Sequence, residues 1–186
     1  MEKERGKLRS DNIKAVALAI AIAMLTRAYV AQAYHIPSGS MENTLLVGDH
    51  VLVEKISGHV SNPARGDIVV FNSPVEEKVL IKRVIGLPGE TVSMEKGAVS
   101  INGKPITEPY LHPLGGAIPF GVSRSFPPLK VPTGAVFVMG DNRDNSGDSR
   151  LFGPVPISHI IGRALAIHWS WKDRYHVRWD RLGTSL

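Results

Sequence analysis

An apolar run near the N-terminus constrains this chain more than any other feature. Ala15 to Thr26 is apolar without interruption, Ile13 extends the run backwards past Lys14, and after Arg27 it resumes through Ala28-Tyr29-Val30-Ala31. From Ile13 to Tyr34 the stretch matches the roughly 20 residues a membrane-spanning helix needs. Arg27 must then snorkel to an interface or face a partner. Lys3, Arg5, Lys7, Arg9 and Lys14 form a basic flank before it. A cleaved signal peptide fits the same letters, with a basic start, a short apolar middle and Ala31-Gln32-Ala33 as a small-x-small cleavage site. A buried core helix is the third reading. Under the first two, the residues after about 35 lie across the membrane, because the positive flank stays cytoplasmic.

Composition narrows the remainder. The 186 residues make one ordinary domain plus a little extra. Hydrophobic residues are 43% and charged residues 21%, which suits a folded chain and argues against disorder. The 18 glycines and 13 prolines favour a turn-rich β domain over a helix bundle. With no cysteine, disulfides, thiolate zinc sites and a cysteine nucleophile are excluded. The net charge of +5 gathers at the two ends, where Lys172, Arg174, Arg178 and Arg181 form the second cluster. Two basic flanks suit anionic lipid at least as well as nucleic acid, and no nucleic-acid partner is expected.

The rest of the chain reads as β. Strands are expected at His50–Ile56, Asp67–Asn72, Lys78–Ile85, Thr91–Glu95, Ala98–Ile101, Ala135–Met139 and Arg163–Trp169. Lys96-Gly97 is a two-residue hairpin signal. The proline-rich stretch 105–132 reads as an irregular excursion over the surface.

Three segments carry chemistry. The first is Ile36-Pro-Ser-Gly-Ser-Met-Glu-Asn-Thr-Leu45, followed by Gly48-Asp49. Glycine lets a serine sit on a tight turn with its hydroxyl open to a substrate, and Ser38 offers a second hydroxyl. The second is Ile81-Lys-Arg-Val-Ile-Gly-Leu-Pro-Gly-Glu90. Strand side chains alternate faces, so Lys82 and Arg83 point opposite ways. A buried lysine loses its charge readily and becomes a usable general base; arginine does not. The third is Gly140-Asp-Asn-Arg-Asp-Asn-Ser-Gly-Asp-Ser-Arg150, after the strand Ala135–Met139. An EF-hand alignment starting at Asn142 puts Gly153 where a bidentate glutamate belongs, so calcium is rejected and no metal is expected. A turn stapled by Asp–Arg pairs fits better. No His-Glu-x-x-His or Gly-x-Ser-x-Gly motif occurs. His35 is the one histidine close enough to Ser40 in sequence to check as a base.

As an ordered set these three segments resemble the nucleophile, lysine and last conserved boxes of type I signal peptidases, the bacterial leader peptidases, with similarity from about residue 13 to residue 168. The resemblance implies a mainly β, antiparallel-sheet signal-peptidase-type catalytic domain preceded by one transmembrane helix. It implies a cytoplasmic tail (1–12), an anchor (13–34) and an extracytoplasmic catalytic domain (35–186) on the outer face of a bacterial plasma membrane. Its substrates would be exported preproteins, cleaved after small-x-small sequences, with no cofactor. By resemblance Ser40 is the nucleophile and Lys82 the general base. Ser38 and the Ser40 N–H serve the oxyanion, and Ser146 orients the lysine amine. Asp141 pairs with Arg83 and Asp148 with Arg150. Ile36, Pro37, Met41, Leu45 and Ile81 occupy the positions of shallow apolar substrate pockets.

One departure stands out: the family pattern has proline where this chain has Asn43, which is expected to loosen the turn after the nucleophile. Two rival readings remain. A self-cleaving repressor peptidase would need a DNA-binding helix-turn-helix where the apolar segment stands. A non-enzymatic, membrane-tethered β binding module would make the serine and lysine incidental.

Overall fold

The computed structural model describes residues 2–25, 30–56, 62–111 and 123–186, the first ten of these as backbone only. Helix α1, Glu2–Leu25, opens the chain and turns Ile13, Leu18 and Met24 more than half into solvent. No helix among the described residues is long and apolar enough to cross a membrane. The reason lies in the sequence of α1. Its first half carries the basic flank, and Ala15–Leu25 rises only about 17 Å at ~1.5 Å per residue, against a hydrocarbon core of ~30 Å. Part of the expected anchor, 26–29, lies outside the described residues.

The expected anchor boundary at Tyr34 is corrected. Ala31–His35 is a strand, β1, paired antiparallel with β2 (Asp49–Glu54) from Ala31↔Glu54 to His35↔His50. Without β1, one edge of β2 would present unpaired N–H and C=O groups. Tyr34 also packs against the core beneath.

The remaining strands are β3 (Ile68–Asn72), β4 (Val79–Gly86), β5 (Thr91–Glu95), β6 (Ala98–Ile101), β7 (Lys104–Pro105), β8 (Phe126–Lys130), β9 (Ala135–Met139), β10 (Val155–Pro156), β11 (Ile160–Asp173) and β12 (His176–Val177). The larger sheet runs β1-β2-β11-β3-β4-β9-β10, with β12 added to β11; the smaller runs β7-β6-β5-β8. Every strand pairing among the described residues is antiparallel. The chain is therefore mainly antiparallel β, as its turn-rich composition suggests.

Strand β3 reads Ile-Val-Val-Phe without alternation because both of its faces are covered. Ile68 and Val70 pack with Ile36, Met41, Leu45, Val51 and Val53, while Val69 and Phe71 pack with Val84, Val136 and Val138. Strand β4 lies between β3 and β9, and its Ile85 enters a third cluster that fills the smaller sheet.

Two further expectations are corrected. Part of the 105–132 excursion is strand β8, paired with β5. Pro127 and Pro128 hide it in the sequence, yet proline is compatible with an edge position, and β8 is an edge. The C-terminal basic cluster is not simply a lipid flank. Arg181 bonds both carboxylate oxygens of Asp49, at 3.2 and 2.6 Å, and Arg178 donates to the carbonyls of Val47 and Trp171. Both guanidiniums are spent inside the protein.

Candidate active site

The turn carrying Ser40 is a single 3-10 turn, Gly39–Met41, closed by the Glu42 N–H donating to the Gly39 carbonyl. It is held from the other side by Asn142, whose backbone N–H donates to the Ser40 carbonyl at 3.1 Å and whose amide donates to the Gly39 carbonyl at 3.1 Å. Gly140 makes this approach possible. A Cβ there would lie 2.3 Å from both the Ser40 carbonyl oxygen and Ser146 Oγ, far inside contact distance. Gly48 is equally constrained: its φ is +92°, and a Cβ would sit 2.2 Å from the Trp171 carbonyl oxygen.

Strand β4 brings Lys82 to this turn. Its Nζ donates to Ser40 Oγ at 2.7 Å and to the Ile81 carbonyl at 2.9 Å. Lys82 is 3% exposed. Burial lowers its pKa from the ordinary lysine value to about 8, with Asp148 and Asp141 pulling weakly the other way and Lys78 adding to the fall. Near neutral pH a useful fraction of this amine is unprotonated. The 2.7 Å contact then runs in reverse, the hydroxyl donating to the nitrogen lone pair.

Arg83 points to the opposite face, where Asp141 receives it with both oxygens at 2.9 and 2.7 Å. Thr44 joins this pair by donating to Asp141 at 2.5 Å. Asp148 accepts from Arg150 at 2.9 Å on each oxygen and also takes the Gly140 N–H at 3.1 Å. These pairs fix the loop after β9 against the Ser40 turn. Asp49 anchors the far side through the Leu46 N–H, Ser170 and Arg181. Burial alone would raise the Asp49 pKa, but the bonds from Arg181, Ser170 and the Leu46 amide outweigh it and hold the carboxyl below its ordinary value.

In front of the pair opens a cavity of about 370 Å³. Ser38, Ser40 and Lys82 line one side; Val75, Leu80, Leu151 and Phe152 give apolar wall. None of the five expected pocket residues lines it. Ile36, Met41 and Leu45 are core side chains under the turn, Pro37 is exposed at the surface, and Ile81 packs on that core from its edge. The turn directs Met41 inward, with Ile36 and Leu45 beside it in the core, while Ser40 lines the cavity.

Two other expectations do not match the geometry. Ser146 Oγ is buried but forms no hydrogen bond with the Lys82 amine or any other described group. Ile81 supplies the second acceptor to Lys82 instead, while Ser146 lies over Gly140. Asn43 does not leave its turn loose. It has φ +87° and donates to the Tyr110 and Leu111 carbonyls at 3.1 and 3.2 Å. His35 packs against His50, with ring centroids 5.1 Å apart.

Sequence reading missed several partners. Thr44 and Asp49 sit in the recognised first segment but carry no signal of what they bind. Glu108, which receives the fully buried Arg143, and Tyr110, whose ring lies 4.0 Å from the Arg83 guanidinium carbon, sit in the proline-rich stretch with no periodicity to mark them.

The site thus sets a buried amine against a serine hydroxyl at an open cavity. Comparison with known proteins gives the family. Residues 9–169 match the family described as Signal peptidase, peptidase S26. A signal peptidase I of Leptolyngbya laminosa is 44% identical over 86% of this chain and 79% of its own. A probable signal peptidase I-1 of Synechocystis is 41% identical over 94% of this chain and 87% of its own. The solved structure of a signal peptidase I from Enterococcus faecalis shares 37% identity over 55% of this chain and 97% of its own, with a TM-score of 0.48. The chain belongs to the signal peptidase family, the S26 peptidases, hydrolases that remove signal peptides. Family membership sets aside the reading of a non-enzymatic binding module.

Proposed function

We propose that this chain removes signal peptides from exported preproteins after small-x-small sites, with Ser40 as nucleophile and Lys82 as general base. The observation that carries the reading is the 2.7 Å contact between a buried, weakly basic Lys82 amine and the Ser40 hydroxyl at the floor of an open cavity.

Neutral Lys82 takes the hydroxyl proton as Ser40 Oγ attacks the scissile carbonyl. The developing oxyanion accepts from the Ser38 hydroxyl and the Ser40 N–H. The Lys82 ammonium returns its proton to the leaving amine, and the C–N bond breaks. An ester remains on Ser40. Water, deprotonated by Lys82, attacks that ester; the Oγ–C bond breaks, the Lys82 ammonium gives its proton to Ser40 Oγ, and the signal peptide leaves with a new carboxylate. The Ile81 carbonyl, which accepts from the amine at 2.9 Å, steadies it once the serine proton has moved. Asp141–Arg83 and Asp148–Arg150 brace the two loops and take no part in proton transfer.

The same reading puts the site at a bacterial plasma membrane, with a cytoplasmic basic tail, one N-terminal anchor ending before Ala31, and the β domain on the outer face. The exposed apolar side chains of α1 and its basic start support it. Full-length protein in lipid should cleave a preprotein carrying an Ala-x-Ala site, and Ser40→Ala should not; processing by Ser40→Ala removes the dyad. Carbonate extraction should leave the intact chain in the membrane pellet. Release of a chain beginning at Tyr34 would replace the anchor with a cleaved leader.

A further inference from the structure

Residues 108–111 touch the site's scaffold at several points. The carboxylate of Glu108 receives the Arg143 guanidinium, and both side chains are nearly fully buried. The hydroxyl of Tyr110 donates to the same carboxylate at 2.9 Å, while its ring lies 4.0 Å from the Arg83 guanidinium carbon, against the ion that grips Asp141. The carbonyls of Tyr110 and Leu111 accept from the Asn43 amide, three residues past Ser40. The short segment thus joins the serine turn, the lysine strand and the loop after β9.

Asn43 suits this work for a backbone reason. Its φ of +87° is open to asparagine and glycine but closed to proline, whose ring holds φ near −65°. Asparagine combines ready access to that backbone with a side-chain amide whose two N–H groups can satisfy two carbonyls.

We propose that residues 108–111 are a strap over the catalytic scaffold, and that Asn43 and Tyr110 are positioning residues that hold the Ser40 turn and Arg83 in register with Lys82. This rests on the Ser40–Lys82 reading. Neither Asn43 nor Tyr110 lines the cavity before Ser40, so the strap acts on the rate of chemistry and not on substrate affinity.

The test is steady-state cleavage of a preprotein by the full chain in lipid. Asn43→Gly keeps the backbone conformation and removes the amide; Asn43→Asp keeps the shape and turns acceptors toward carbonyls. Losing two modest hydrogen bonds predicts a fall in kcat of about ten-fold for glycine and more for aspartate, with KM within about two-fold. Tyr110→Phe, which keeps the ring over Arg83, should retain more kcat than Tyr110→Leu by about five-fold. A kcat for Asn43→Gly within about two-fold of wild type, or a loss confined to KM, overturns the strap. Should the Asn43 variants fail to fold by circular dichroism, equal kcat for the two Tyr110 variants overturns it. Failure of the wild type to cleave would instead remove the dyad reading beneath it.

Discussion

Lys82 Nζ and Ser40 Oγ lie 2.7 Å apart, joined across 42 residues of sequence by one strand and one turn. The contact is close enough for direct proton transfer, and the amine is buried enough to be a base.

Activity should follow the ionisation of that amine. With its pKa near 8, kcat/KM should rise with pH along a single-ionisation limb and level off above about 8. The lysine must be neutral, so protonation at lower pH removes the base. A pH–rate profile checks this. An acid limb that stays in place when Lys82 is replaced by a weakly active amine analogue would assign the ionisation elsewhere.

The same amine should cost stability. Its folded pKa lies below the value near 10.5 of an exposed lysine. The unfolded chain therefore binds more protons between pH 8 and 10.5, and this group's contribution to stability rises with pH across that window. Below it, holding the site together requires charging or forgoing a buried amine. Lys82→Met should be inactive yet more stable than wild type at pH 7, by about 2 kcal/mol in denaturant unfolding. A less stable Lys82→Met would contradict the burial argument.

How much of this was legible in the sequence depends on the residue. The strands Thr91–Glu95, Ala98–Ile101 and Ala135–Met139 were readable to the residue, because local pattern and turns agree there. Strand alternation alone separated Lys82 from Arg83. The anchor boundary was not readable, since Ala31–His35 is apolar enough for helix and becomes strand only because β2 needs a partner. Core and pocket were confused at Ile36, Met41 and Leu45, because an apolar letter does not say whether it faces inward or outward. Arg181 and Tyr110 were silent because their partners, Asp49 and Arg83, are distant in sequence and close only in the fold.

Removing Asp141 should be costly. Its carboxylate is fully buried against Arg83, so Asp141→Ala strands a buried guanidinium. A loss of about 3–5 kcal/mol is expected from chemical denaturation, with activity falling in step as the loop after β9 loosens. A loss below 1 kcal/mol would mean that water or another group replaces the carboxylate.

Asp49 should make the fold acid-sensitive. Its folded pKa lies below the ordinary value, so its stabilisation is complete above that value and is lost as pH falls through the folded one. Asp49→Asn should flatten the acid limb of stability against pH and free the C-terminal segment held by Arg181. Thermal unfolding followed from about pH 5 down to about pH 2, with hydrogen exchange at Ser170 to Leu182, reads both effects. An unchanged acid limb would assign the sensitivity to another carboxylate.

The most direct measurement is single-turnover preprotein cleavage by wild type, Ser40→Ala, Lys82→Ala and the double variant, each shown to be folded. Nucleophile and base acting as a unit predict that each single variant loses about 10⁴-fold or more in rate and that the double variant is no slower than either. A single variant within about ten-fold of wild type, or a double variant slowed by the product of the two losses, would contradict the Ser40–Lys82 pair.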